Sequence, residues 1–159
     1  MNTVDALEAS ALPCAGAVHA DDCAPATVES EPLPAAVARV PVEEKGPARW
    51  AYERLILYIR NFEKQLNPDQ EVAMGFTGGE AGVLRIEGLG YFDPDIVTFY
   101  GEDDSGLRTQ LIQHVSQLNV ILRALPRASD AEPARRIGFQ LSRQFDKGAD
   151  SATEGAGPP

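Results

Sequence analysis

Carboxylates and one histidine are the residues of this chain whose types suit catalytic chemistry. Glu87, Asp93 and Asp95 lie in or beside the stretch GYFDPDIVTFYG, residues 90–101, and His114 is the one histidine between residues 48 and 143. Carboxylates and an imidazole that converge in a pocket can exchange protons with a substrate as general acids and bases. These residues therefore define the candidate site of a small enzyme whose pocket lies near residues 87–95.

The spacing of Asp93 and Asp95 around Pro94 also has a purely structural interpretation. Asp–Pro–Asp has the composition of a tight turn, because Asp caps its own turn and proline presets its φ at about −65°. The β-branched and aromatic run IVTFY follows and favours a strand. No EF-hand loop surrounds the two aspartates. The stretch is thus predicted to be a hairpin corner between two antiparallel strands.

Other catalytic and ligand-binding patterns are missing from the sequence. Cys14 and Cys23 do not have the spacing of a zinc site, and no second pair of ligands follows them. The loop FTGGEAG lacks the lysine of a phosphate-binding loop, and Ser105 and Ser116 lack the context of a nucleophile elbow. The sequence therefore assigns no catalytic, cofactor-binding or metal-binding residue, and we expect no cofactor.

Net charge and hydropathy limit the classes of partner. The chain has 159 residues and a formal net charge of −10, and residues 1–47 alone carry eight acidic and two basic residues. An acidic chain repels phosphate backbones, so no nucleic acid partner is expected. No run of about 18 apolar residues is present, and the N-terminus lacks the basic region of a secretion signal. We therefore expect a cytoplasmic protein that does not enter membranes.

The distribution of aromatic residues indicates one folded domain. All 11 of them lie between Trp50 and Phe145. The flanking segments are rich in Ala, Pro and acidic residues or in Gly, and they cannot bury enough apolar surface to offset their ordering entropy. We predict a disordered acidic head over residues 1–46, a single domain over residues 47–145 and a disordered tail over residues 146–159.

Hydrophobic periodicity predicts the elements of that domain. Residues 47–68, PARWAYERLILYIRNFEKQLNP, have helical spacing, whereas EVAMGF, VLRIEGLGYF and IVTFY have the pattern of strands. Leucine and valine recur every three or four residues in residues 101–126, which predicts a second helix. Alternation in residues 136–145 predicts a last strand.

The predicted order α-β-β-β-α-β indicates an α+β fold. Three consecutive strands with short connections form an antiparallel meander, and the last strand returns to the same sheet. Two amphipathic helices then cover one face of the sheet, which makes a two-layer domain.

Five stretches of the domain are long enough to be specific: WAYERLILYIRNFE, EVAMGF, GYFDPDIVTFYG, QHVSQLNVILRA and RRIGFQL. Together they resemble a small bacterial protein family that is described as a domain of unknown function. The resemblance covers about residues 48–143 and implies a bacterial source, without an activity or a catalytic residue. The order of elements also resembles that of the type III secretion chaperones, which are small, acidic, cytoplasmic and dimeric.

The lack of a catalytic constellation favours a non-enzymatic protein-binding module, either an adaptor or a chaperone-like protein. The side of the predicted second helix opposite its leucine stripe carries Gln110, Gln113, His114 and Gln117 and no charge. Charge depletion is typical of interface cores, so these residues are the predicted surface for a protein partner or for self-association as a homodimer. A sheet edge is the alternative surface, and the small enzyme is the alternative function.

Overall fold

The computed structural model describes residues 14–76, 82–127 and 132–154, with side chains up to residue 145. The chain divides into two compact units, Met1–Leu33 and Pro34–Pro159. In the first unit the described residues include a short 3₁₀ turn at Val28–Ser30. The sheet and the α-helices belong to the second unit.

The second unit contains three helices and five strands in its described residues. The helices are α1 (Ala35–Ala38), α2 (Pro47–Glu63) and α3 (Ile137–Glu154). The strands are β1 (Gln70–Phe76), β2 (Val83–Phe92), β3 (Ile96–Glu102), β4 (Arg108–His114) and β5 (Val120–Pro126). Two 3₁₀ turns occupy Val42–Glu44 and Val115–Gln117. Among the described residues, none of the helices combines the length and apolarity needed to cross a bilayer.

The strands form one antiparallel sheet in the order β4-β3-β2-β1-β5. Consecutive strands from β1 to β4 are neighbours, and β5 returns to pair with β1 along its whole length. Helices α2 and α3 pack on each other and on the strands. The predicted α+β class, with an antiparallel meander, a returning strand and a helical layer, is confirmed.

Helix α2 begins where the sequence predicts. Pro47 occupies its first turn, where the missing N–H costs no helical hydrogen bond. The core joins this helix to three strands through Ala51, Ile56, Ile59, Met74, Leu84, Val97 and Phe99. The rings of Phe76 and Phe99 meet edge to face, with their centroids 4.9 Å apart. The helix therefore buries one side of the sheet.

The predicted second helix over residues 101–126 is wrong, because this segment forms β4, a 3₁₀ turn and β5. The acids and the glycine at its start make a turn. The Asp103 carboxylate accepts hydrogen bonds from the N–H groups of Ser105 and Leu107, at 2.9 Å each. Gly106 adopts a φ of 76°, which glycine reaches without steric cost. The turn sends the chain back beside β3 as an antiparallel strand.

The apolar spacing that imitated a helix is shared among three elements. Leu111 lies in β4, Val115 and Leu118 in or after the 3₁₀ turn, and Leu122 in β5. All four are partly buried against the core. Within β4, however, burial alternates residue by residue, as a strand requires. Spacing alone does not separate these two arrangements, because both place the same residues against the core.

The predicted last strand over residues 136–145 is also wrong, because Ile137 begins helix α3. Ile137 and Leu141 are buried four residues apart, whereas Phe139, which an alternating strand would bury with them, is 55% exposed. Both oxygens of the Glu63 carboxylate accept from the N–H of Gly138, at 2.9 and 3.0 Å. Glu63 thereby satisfies an N–H group that the first turn of any helix leaves without a partner.

The boundaries of the second unit extend past the predicted domain. Helix α3 runs to Glu154, and the unit begins at Pro34 instead of residue 47. Val37 is 1% exposed, and the buried Lys45 Nζ donates to its carbonyl at 2.6 Å and to a Glu53 oxygen at 2.8 Å. These contacts attach the segment before α2 to that helix. The disorder of residues 1–46 and 146–159 stays a prediction.

Replacement of Glu53 by alanine should destabilise the second unit strongly. The change leaves the buried Lys45 ammonium without its carboxylate, and an uncompensated buried charge costs about 3–5 kcal/mol. Urea unfolding measures the loss as a lower free energy of unfolding. The control Glu43→Ala, at an exposed position, should change that free energy by less than about 0.5 kcal/mol. Equal effects of the two replacements would contradict the role of the buried pair.

Glu63 should make stability depend on pH. Burial raises the pKa of its carboxyl group above the ordinary value of 4.5, although the Gly138 N–H and the charge of Arg136 oppose the shift. The folded chain therefore holds this proton more tightly than the unfolded chain. The resulting stabilisation is present below pH 4.5 and is lost as pH rises from 4.5 through the raised pKa.

Comparison with Glu63→Gln isolates this effect, because glutamine retains a carbonyl acceptor and does not titrate. We expect the free energy of unfolding of the wild type, minus that of the variant, to fall as pH rises through this window and then to level off. Denaturant unfolding at a series of pH values measures the difference. A difference that rises with pH would show that the hydrogen bonds to the carboxylate outweigh its burial.

Candidate functional site

The predicted hairpin corner is present between β2 and β3. Phe92 pairs with Ile96 on either side of the turn, and the Asp93–Pro94 peptide is cis. The Pro94 carbonyl accepts a hydrogen bond from the N–H of Ala48 at 3.0 Å. The corner thus caps the first turn of α2, where N–H groups lack helical partners, and this contact holds the end of the sheet against the helix.

Asp95 and His114 lie together at this end of the sheet. The pairing of β3 with β4 brings them side by side, and the N–H of Val115 donates to the Asp95 carbonyl at 2.7 Å. The His114 Nε2 atom is 3.2 Å from Asp95 Oδ2, and both side chains are 46% exposed. The small-enzyme prediction named both residues but placed His114 on a helix, whereas their contact arises because the corner and the end of β4 are neighbours in the sheet.

Ser116 completes a chain of three polar side chains that sequence reasoning missed. Its hydroxyl oxygen is 2.7 Å from His114 Nδ1, and its N–H donates to the same nitrogen at 3.1 Å. Since Nδ1 accepts from the main chain, we assign the imidazole proton to Nε2, where it faces Asp95. The available sequence signal was the His-Val-Ser spacing, which places the hydroxyl over the ring only in a tight turn.

This arrangement resembles a serine–histidine–aspartate triad with the two ring nitrogens exchanged. A neutral imidazole so placed can accept the serine proton at Nδ1 while Asp95 stabilises the charge that develops on the ring. The same contacts also serve the fold. His114 precedes the 3₁₀ turn Val115–Gln117 and caps it through Nδ1. The group therefore has a structural role, and its geometry suits His114 to act as a general base toward Ser116.

The other two predicted acid–base residues point elsewhere. Glu87 is exposed, lies at the irregularity in β2 between Ile86 and Gly88, and forms an ion pair with Arg135 at 3.5 Å. The exposed Asp93 carboxylate contacts the Cα side of Gly46, just before α2. Of the predicted set, only Asp95 and His114 converge.

An apolar cavity lies apart from these groups. It has a volume of about 290 Å³ and opens between α2, β1 and β5. Its lining consists of Leu55, Tyr58, Ile59, Met74, Leu118, Val120 and Leu122. None of the four predicted acid–base residues belongs to this lining, so this cavity and those titratable groups do not form one site.

The predicted partner surface lies mostly on strand β4 and not on a helix. Gln110, Gln113 and His114 belong to β4, and Gln117 ends the 3₁₀ turn. Gln110 and His114 are exposed, whereas Gln113 is half-buried. The Gln113 Oε1 atom is buried and has no hydrogen-bond donor among the described residues. The alternation of a strand thus divides the predicted surface between two faces.

One side of β4, which we call its free side, has no neighbouring strand among the described residues. The sheet order places β4 at an edge, and no described strand pairs with its far side. Two main-chain hydrogen bonds lie at the ends of the pairing between β3 and β4. The Val115 N–H donates to the Asp95 carbonyl, and the Asp103 N–H donates to the Leu107 carbonyl. Because bonded and non-bonded pairs alternate in an antiparallel ladder, the main chain of odd-numbered residues faces β3. The N–H and C=O groups of Arg108, Gln110, Ile112 and His114 therefore point to the free side.

An exposed apolar surface adjoins this edge. We call it the outer face and define it by Gly88, Gly90, Phe92, Thr98, Tyr100 and Ile112. Phe92 is 76% exposed and Ile112 is 63% exposed. A Cβ added to Gly88 or Gly90 would lie 3.6 Å from the Tyr100 ring. The two glycines therefore let that ring lie flat across the strand.

Comparison with protein-family models matches residues 48–140 to the model described as "Family of unknown function (DUF6173)". No curated protein and no solved structure matches the chain. The likeness to type III secretion chaperones is not supported. The helix that it requires after the third strand is replaced by β4.

Proposed function

The chain therefore belongs to that family of unknown function, and we propose that it is a non-enzymatic, adaptor-type protein-binding module that receives a strand of its partner along β4. The observation that carries the proposal is the free side of β4, with main-chain groups of four residues directed outward. An added strand gains affinity from main-chain hydrogen bonds and specificity from alternate side chains.

The contrast between the two edges of the sheet supports this choice. Edge strands are usually protected from pairing by charges, proline or bulges. Strand β5 carries Arg123 and ends at Pro126. The Arg127 N–H donates to the Asp69 carbonyl of the chain before β1, so the main chain of odd-numbered β5 residues faces β1 and that of even-numbered residues faces outward. Pro126 is one of the outward positions, and it offers no N–H to an incoming strand. Residues 109–113 of β4 contain neither charge nor proline.

The outer face would add apolar contacts to those of the main chain. Phe92, Tyr100 and Ile112 are exposed on the strands nearest the free edge. Such exposed apolar groups next to an unpaired strand are typical of interaction surfaces. Gln110 and His114 are the members of the predicted surface that remain in this proposal, because their main-chain groups face the free side.

The compartment follows from the same kind of argument. Cys14 and Cys23 are exposed thiols, as is usual for proteins kept in reducing compartments. This observation supports our proposal of a cytoplasmic protein, and the resemblance of its motifs implies a bacterial source.

Ile112→Pro tests binding at this edge. It removes an N–H that faces away from β3, so the ladder between β3 and β4 keeps its bonds while an incoming strand loses one and meets the proline ring. Ala124→Pro is the matched control, because the N–H of Ala124 faces the free side of β5. Circular dichroism should show both variants folded.

Affinity capture from bacterial lysate with the three immobilised chains measures the outcome. We expect the wild type and Ala124→Pro to capture at least one protein, which can be the lysate's own copy of this chain. The amount captured should fall at least about tenfold with Ile112→Pro, which corresponds to roughly 1.4 kcal/mol. Hydrogen exchange should show protection of residues 108–114 in that complex. Equal capture by all three chains would place the binding surface elsewhere.

A second candidate function rests on the chain of Asp95, His114 and Ser116. The hydroxyl at 2.7 Å from Nδ1 favours a small esterase-like or acyl-transfer activity with Ser116 as the nucleophile. It revises the alternative prediction, in which Glu87, Asp93, Asp95 and His114 served as acid–base groups.

Labelling with a fluorophosphonate tests this candidate. Attack by the serine oxygen on phosphorus would release fluoride and pass the serine proton to His114. We expect mass spectrometry to find the label on Ser116, and His114→Ala to slow labelling by roughly 100-fold, the usual contribution of a general base. Thr109→Ala serves as a control that leaves the group intact. Absence of label on Ser116 would leave these contacts a purely structural role.

A further inference from the structure

We propose that the strand received by β4 is β4 of a second copy of this chain, so that two sheets join into one across a twofold axis at Leu111. This inference rests on the proposed function and names its partner. Three features of β4 support it: the even-numbered positions of its outward main-chain groups, the buried side-chain oxygen of Gln113 that lacks a donor among the described residues, and the placement of charges at its two ends.

The outward main-chain groups all belong to even-numbered residues, and this selects the register in which the two β4 strands pair. A twofold axis perpendicular to the sheet keeps the helical layers of both copies on one side, so paired residues must face the same way. The outward main-chain groups belong to Arg108, Gln110, Ile112 and His114. Centring the axis on Leu111 pairs Arg108 with the second copy's His114 and Gln110 with its Ile112. All four outward residues then exchange hydrogen bonds.

The buried acceptor of Gln113 fits this register. Its Oε1 atom is buried and lacks a donor among the described residues, and a buried polar atom without a partner is costly. Strand pairing centred on Leu111 places Thr109 of the second copy opposite Gln113. Because Oε1 is closed to a water-sized atom in the single chain, the Gln113 side chain must first turn toward the seam, the line along which the two β4 strands pair. The Thr109 hydroxyl, which donates to the Leu107 carbonyl at 3.0 Å in the single chain, can then rotate to donate to it.

The charges at the two ends of the seam are complementary. Arg108 stands at one end of β4, and the exposed Asp95 carboxylate stands beside His114 at the other. In an antiparallel pair, Arg108 of each copy lies opposite His114 of the other, within reach of Asp95. The seam thus gains two symmetric Arg–Asp contacts, and its middle is uncharged. Complementary charges of this kind set orientation and register.

Light scattering tests whether the second copy binds. The wild type should have twice the mass of the 17.1 kDa chain, as should Ala124→Pro, whereas Ile112→Pro should have the mass of one chain. A wild type that stays a single chain at high concentration would overturn the inference. The proposed function would still stand if lysate capture remained sensitive to Ile112→Pro, so the two failures are distinguishable.

Disulfide trapping tests the register, in a chain whose Cys14 and Cys23 are replaced by serine. Leu111→Cys places two thiols across the axis at a non-hydrogen-bonded pair, where Cα atoms are about 4.5 Å apart, within the range for a disulfide. Gln113→Cys is the matched control, because its two copies lie four residues apart along the seam. We expect covalent dimer from Leu111→Cys alone. Covalent dimer from the control, or from neither variant, would contradict the Leu111 axis.

Reversing the charge at each end of the seam in turn tests the proposed Arg108–Asp95 contact. Two misfolded variants would not recover association when they are mixed. Arg108→Glu and Asp95→Lys should each weaken self-association roughly tenfold or more, since each places like charges at both ends of its own seam. A mixture of the two variants should recover heterodimers, because each seam end then joins opposite charges. Failure of the mixture to associate while the wild type dimerises would overturn the proposed placement of Arg108.

Discussion

Between β3 and β4, backbone pairing runs from Ile96 opposite His114 to Glu102 opposite Arg108. This ladder decides where the candidate functional groups of the chain lie. It brings His114 beside Asp95, and it directs the main-chain N–H and C=O groups of alternate β4 residues to the free side of that strand. Had the same segment formed a helix, its backbone groups would have bonded to each other. The edge of the sheet would then be β3, and the contact between the corner and His114 would not exist.

Two hydrogen bonds at helix ends add to the apolar packing that supports the sheet. The Pro94 carbonyl bonds to Ala48 at the start of α2, and the Glu63 carboxylate bonds to Gly138 at the start of α3. Each contact satisfies N–H groups of a helix end that would otherwise lack partners. The helices are thereby attached to the sheet and to each other at their ends, so the sheet is supported on one side while β4 stays exposed.

Our proposal favours binding over catalysis because the cavity between α2, β1 and β5 is separate from Asp95 and His114. The cavity beside Leu118 is lined by carbon-rich side chains and one phenol, whereas Asp95 and His114 lie at an exposed strand end. A general base works best in a pocket that excludes water and orients a substrate. An edge strand needs no such pocket, because main-chain groups in an extended row recognise another strand directly. The charge-free middle of β4 suits the second task better than the first.

Local chemistry in the sequence determined the elements whose partners are near in the chain. Helix α2, the first three strands and the corner at Pro94 follow from proline positions, helical spacing and β-branched runs. The alternative small-enzyme prediction named Asp95 and His114 together, but it placed His114 on a helix that the structure does not contain. Tertiary structure alone decided the rest. The leucine spacing from Leu111 to Leu122 suits a helix and also two strands joined by a turn. Only the available pairing sites on β3 and β1 select the strands, since those bonds join residues distant in sequence. The start of α3 depends likewise on Glu63, and the free edge of β4 exists because no described strand reaches it.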